Sequence, residues 1–150
     1  MFRPILWRRL AIAEPYLLFV VVLVFSILSP RTASAHVANA TGLIVEQTWT
    51  RDGNGHDKTS FLRGDAIQYT VLVTNQSNTT VTATFVFDAR GPSQIFFWKQ
   101  NEPVAPGLSG YYSPSTVPND AKPGTYIIRV TVTYNGLSSS NMSPFTVKLH

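Results

Sequence analysis

The chain has 150 residues, no cysteine, 13% charged and 12% aromatic side chains, and a formal net charge of +4. That length holds one domain of ordinary size, alone or with a targeting segment. The lack of cysteine removes a disulfide framework, a thiolate zinc site, a Cys nucleophile and a lipoprotein anchor.

The positive charge is concentrated at the start. Arg3, Arg8, Arg9 and Arg31 face only Glu14 within the first 35 residues, whereas from His36 onward eight bases meet seven acids. A nucleic-acid surface needs its excess on one face of the folded domain, so nucleic acid is excluded as a partner. The same segment has the three parts of a secretory signal: a basic start, the apolar core Tyr16–Leu28, and Ala33-Ser34-Ala35 at the cleavage site. The uncharged run 15–30 is shorter than the ~20 residues a spanning helix needs. Residues 1–35 are therefore expected to form a signal helix exported by the Sec route and cut after Ala35. The alternative is an uncleaved anchor that uses residues 11–30, the only membrane contact expected. Residues 36–41 read as a linker, and the remainder as extracytoplasmic: secreted or at a bacterial cell surface.

From residue 42 the chain alternates apolar and polar residues in short runs divided by turn residues. Leu43–Trp49 opens the series, and Arg51-Asp52-Gly53-Asn54-Gly55 breaks it. In Ala66–Val73, Ile67, Tyr69, Val71 and Val73 share a face. Val81, Ala83, Phe85 and Phe87 do the same in Val81–Phe87. Gln94–Trp98 is a short aromatic run and Leu108–Ser113 a weaker one. Thr125–Tyr134 is the clearest strand, and Phe145, Val147 and Leu149 make the last. Period-two alternation gives each strand one dry and one wet face. About seven such strands without helical periodicity predict an all-β fold over residues 42–150. The expected form is an immunoglobulin-like antiparallel β-sandwich, with an antiparallel barrel as the alternative.

The stretch from Gly64 to Asn75, with Asp65, Ala66, Ile67, Tyr69, Val71 and Val73, resembles the second-strand signature of bacterial immunoglobulin-like modules. These are the CARDB-type and fibronectin-III-like adhesion domains. Pro123-Gly124-Thr125-Tyr126 through Val130, and Ser143-Pro144-Phe145-Thr146-Val147, resemble them too. Tyr126, after a glycine turn, fits the tyrosine corner of such folds. The same Pro-Gly-Thr-Tyr and Pro-Phe-Thr-Val segments resemble, more distantly, the BsuPI-type proteinase-inhibitor domain. The resemblance implies a fold and a surface-module role; the inhibitor likeness implies a third function to weigh.

Few residues offer chemistry. After cleavage His36 would be the N-terminus, where amine and imidazole together chelate copper, but that needs a further histidine close by. Only His56 and His150 are left, expected at the opposite end of a first strand ~20 Å long at ~3.3 Å per residue. Asp52-Gly53-Asn54-Gly55-His56-Asp57 matches a calcium loop at positions one and three, yet has His at five, Asp at six and Arg63 at twelve. The loop's Asp52, Asp57 and His56, with His150, form a weaker zinc or nickel set. A polar hairpin loop explains the same residues. No Gly-x-Ser-x-Gly elbow, paired carboxylate or phosphate loop appears, so neither an enzyme nor a cofactor is expected. Asn39, Asn75, Asn78 and Asn141 begin Asn-x-Ser/Thr triplets, to which no function is assigned.

The aromatics carry more. Phe96, Phe97 and Trp98 are consecutive, so Phe97 must face away from its neighbours, and Tyr111 and Tyr112 must likewise diverge. Some of these rings face solvent, or are covered by the expected long loops Gln100–Pro106 and Pro114–Pro123. Exposed rings stack on sugars or mark protein contacts. Trp98, Phe97 and Tyr112 are thus candidate contacts with a protein or polysaccharide. Asn135 joins them from a loop expected over Asn135–Asn141, clustered at one end with Asn75–Asn78 and Gln100–Pro106.

Overall fold

A computed structural model describes residues 42–149. The expected leader (1–35), anchor (11–30), linker (36–41, with His36) and His150 lie outside the described residues.

Among the described residues eight strands follow one another without a helix: β1 (Leu43–Asp52), β2 (Ser60–Leu62), β3 (Ala66–Asn75), β4 (Val81–Arg90), β5 (Gln94–Val104), β6 (Gly107–Thr116), β7 (Gly124–Tyr134) and β8 (Leu137–Lys148). One sheet has the order β1-β3-β6, the other β2-β8-β7-β4-β5. The fold is the expected immunoglobulin-like sandwich, with one strand more. That strand, β2, is three residues long and pairs in parallel with the end of β8. Its one apolar anchor, Phe61, is 1% exposed and meets Phe145 edge-on at 6.0 Å.

Alternation places the core. Ile67, Tyr69, Val71 and Val73 from the smaller sheet face Phe85, Phe87, Ile128, Val130, Val132, Phe145 and Val147 from the larger, all at most 2% exposed. Each such side chain contributes roughly 1.5–3 kcal/mol when buried. In β1 the pattern slips: the register with β3 shifts between Val45 and Gln47. Before the bulge Leu43 and Val45 point inward; beyond it Thr48 and Thr50 do, and Trp49 turns outward. Strict alternation from Leu43 would have buried Trp49.

Two expected loops are strand. Gln100–Pro106 is mostly β5, which runs on to Val104 and leaves Ala105 and Pro106 as the connection. Pro103 is tolerated because β5 is an edge strand paired only with β4, so its missing N–H breaks no ladder. Asn135–Asn141 is a two-residue turn and the start of β8. Asn135 (φ 50°) and Gly136 (φ 76°) take the left-handed conformations that a tight hairpin requires.

The starts of β1 and β6 pair with the end of β3, so Leu43 and Gly107 share a level with Asn75. On the other sheet Val104 pairs with Val81, and Asn75 Nδ2 donates to the Val104 carbonyl at 2.9 Å. The 76–80 and 105–106 turns therefore meet at one end. The 53–59 and 91–93 turns belong to the other.

Candidate functional site

The loop after β1 organises itself. Asp52 Oδ1 accepts the amides of Asn54 and His56 at 2.9 and 3.0 Å, and Asp52 N–H donates to the His56 carbonyl at 2.8 Å. The His56 amide holds the Asp52 carboxyl below the usual carboxylate range; desolvation opposes it, and the Asn54 amide and the nearby imidazole add to the lowering. His56 Nδ1 lies 3.5 Å from Asp52 Oδ2, its ring largely exposed. Asp57 turns elsewhere, accepting from Arg51 Nε and Trp49 Nε1 at 3.0 Å each. His56 and Asp52 are thus together. Among the described residues, no group of three or more His, Asp or Glu could hold a metal ion.

Tyr126 takes the corner position. Its hydroxyl donates to the Lys122 carbonyl at 2.7 Å and meets Ser93 Oγ at 3.0 Å, with the ring fully buried. Asn75 and Asn141 are 2% and 1% exposed, so their triplets are sealed within the fold.

The aromatics separate as alternation requires. Phe96 stacks on Tyr69 at 4.6 Å, Trp98 packs edge-on to Phe87 at 5.4 Å, and Phe97 stands 57% exposed on the opposite face. Trp98 is half-buried and Tyr112 is 64% exposed. Neither Phe97 nor Tyr112 is covered: Gln100–Val104 of the first expected loop is β5, Pro114–Thr116 of the second is β6, and residues 117–123 leave both rings exposed.

β5 and β6 are also the edges of the two sheets on the same side of the sandwich. They are joined at Ala105 and Pro106 and separate below it, leaving a cleft of about 240 Å³. Phe85 and Phe87 line it from the core, Trp98 and Glu102 from β5, and Gly110, Tyr111 and Tyr112 from β6. Tyr111 leans on Phe85 at 4.6 Å, and its hydroxyl donates to the Pro103 carbonyl at 2.7 Å. That bond spans the two edges. Burial raises the Tyr111 phenol above the ordinary tyrosine range; the Ser109 hydrogen bond opposes the shift and the Glu102 carboxylate adds to it.

No family model and no curated protein matches this chain. Among solved structures, the C-terminal domain of wzt is 9% identical, covers 80% of each chain and superposes with a TM-score of 0.57. The soluble domain of PmoD from Methylocystis sp. ATCC 49242 (Rockwell) is also 9% identical, over 75% of this chain and 96% of that one, with a TM-score of 0.39. At such identity the wzt likeness shows the sandwich fold alone.

Of the residues singled out in the sequence, Trp98 faces the cleft, Tyr112 borders it with its ring turned to the outer face of the smaller sheet, and Phe97 lies on the other face of β5. Asn135 does not join them. It is exposed in the β7–β8 turn, and β4 separates β7 from β5. Sequence reasoning missed Glu102 and Gly110, and of the diverging pair Tyr111 and Tyr112 it took Tyr112 as the contact. The signal was present: Trp98, Gln100 and Glu102 share a face once the period of two is carried past Trp98. Pro103 and Pro106 masked it by suggesting a loop.

Proposed function

We propose that this chain is an exported, non-catalytic binding module that takes a carbohydrate in the β5–β6 cleft. The leader pattern of residues 1–35 supports export, and the sandwich supplies a rigid frame for a surface contact. One observation carries the carbohydrate reading. Trp98 presents a ring at one end of an open groove between two sheet edges, and Tyr111 presents another beside the Glu102 carboxylate further along it. Rings stack on the apolar faces of sugars, and a carboxylate accepts their hydroxyls. A protein strand adding to β5 is less favoured. Lys99 and Pro103 sit on that edge, the kind of residues that blunt strand addition.

The experiment is retention on a panel of immobilised polysaccharides, comparing wild type with Trp98→Ala. Wild type binds at least one polysaccharide, and the variant loses about tenfold or more of that affinity. Failure of wild type to bind any polysaccharide on the panel overturns the reading.

A further inference from the structure

The chemistry of the same cleft narrows its ligand further. We infer that the cleft is built for an oligosaccharide carrying free amino groups, protonated and held against Glu102. This rests on the carbohydrate reading above and adds a charge requirement to it.

Among the described residues lining the cleft Glu102 alone is charged; the rings open to it are those of Trp98 and Tyr111, backed by the buried Phe85 and Phe87, while the Tyr112 ring turns to the outer face of the smaller sheet. Aromatic faces are negative, so they and the carboxylate act in the same electrostatic sense on a bound group. A cation gains from both. The Tyr111 hydroxyl, which could otherwise donate to a neutral sugar, is already committed to the Pro103 carbonyl at 2.7 Å. That tie also keeps its ring beside Glu102, where an ammonium group would meet face and carboxylate together.

Spacing sets the ligand's length. Trp98 and Glu102 are four residues apart on one face of β5, a span of ~13 Å at ~3.3 Å per residue. One pyranose ring cannot lie on Trp98 and reach Glu102 as well, so the ligand is a chain of linked units. Gln100, exposed between them on the same face, offers an amide to the unit in the middle. A volume of about 240 Å³ is small for a pocket that encloses a whole ligand, typically ~300–1,000 Å³, and suits a chain lying along an open groove.

Calorimetry on the protein bearing its own N-terminal segment tests this with two probes: a glucosamine hexamer and its fully N-acetylated, uncharged counterpart. The glucosamine hexamer binds about tenfold or more tightly, and rising salt erodes that preference. Glu102→Gln abolishes the preference while the melting temperature stays near wild type. Trp98→Ala weakens both probes together. Equal or tighter binding of the acetylated hexamer, or a preference that survives Glu102→Gln, overturns the charge requirement. Tighter binding of a trimethyl-lysine peptide would instead keep the charge requirement but overturn the oligosaccharide, making the cleft a cage for a methylated protein. If other polysaccharides are retained while neither hexamer binds, this inference falls and the carbohydrate reading stands. If Trp98→Ala matches wild type on every polysaccharide, both fall.

Discussion

The hydroxyl of Ser139 accepts the backbone N–H of Val45 at 3.0 Å, joining β8 of one sheet to β1 of the other. Nearby, Asn141 Nδ2 donates to the Glu46 carbonyl at 3.2 Å. Both side chains point inward and are at most 2% exposed. They meet β1 where its register against β3 shifts, between Val45 and Gln47, so they satisfy backbone groups that the bulge takes out of the ladder.

Removing either partner leaves a buried polar group of the backbone unmatched. Ser139→Ala and Asn141→Ala should each cost about 1–3 kcal/mol in urea unfolding. The double variant should cost less than the sum, because both act on one bulge. Strict additivity, or a neutral Ser139→Ala, would show that β1 holds its bulge without β8.

The tyrosine corner yields a second expectation. Tyr126→Phe keeps the buried ring but removes hydrogen bonds to the Lys122 carbonyl and Ser93 Oγ, at about 1–2 kcal/mol. Gly91→Ala should be worse. A Cβ there would sit 2.5 Å from the Thr125 carbonyl oxygen and 2.8 Å from the Tyr126 ring, and backbone cannot yield as a flexible side chain can. Thermal melts of the two variants should rank Gly91→Ala below Tyr126→Phe.

These elements show where the sequence was legible. β3, β4 and β7 have apolar residues at every second position, and their inward faces agree with that reading residue by residue. Most of β8 was hidden, because Ser139 and Asn141 fill inward positions with hydrogen-bonding groups. β2 was hidden by its length, since Phe61 alone carries its packing. Half of β5 was hidden by prolines that an edge strand accepts. The site followed the same rule: Trp98 and Tyr112 stood out as rings, whereas Glu102 and Tyr111 acquire meaning only when two edges from different sheets are set side by side.

Alkaline stability is tied to Tyr69. Burial, with a smaller effect from Tyr126, pushes its phenol well above the ordinary value near 10. A pKa raised on folding favours the protonated form in the native state. The stabilisation is complete below pH ~10, where the unfolded phenol is also neutral, and is lost as pH rises beyond it. Unfolding free energy measured from pH 8 to 11.5 should fall more steeply in wild type than in Tyr69→Phe. Identical pH profiles for the two proteins would detach the alkaline loss from this residue.

Three threonines offer a test in which the sign of the effect decides. Thr48 Oγ1 and Thr70 Oγ1 are buried with no hydrogen-bond partner, whereas Thr50 Oγ1 donates to the Lys58 carbonyl. Thr48 and Thr50 are successive inward residues of β1, and Thr70 is flanked by Trp49 and Tyr112 on the outer face of the same sheet. Valine has the same shape and a strong preference for strands, so it removes a desolvated hydroxyl at little steric cost. Thr48→Val and Thr70→Val should therefore stabilise the fold by about 1 kcal/mol each, and Thr50→Val should destabilise it by a similar amount. Urea unfolding of the three variants measures this directly. If all three destabilise alike, the Thr48 and Thr70 hydroxyls have partners in solution, and the inward face of β1 is wetter than its packing implies.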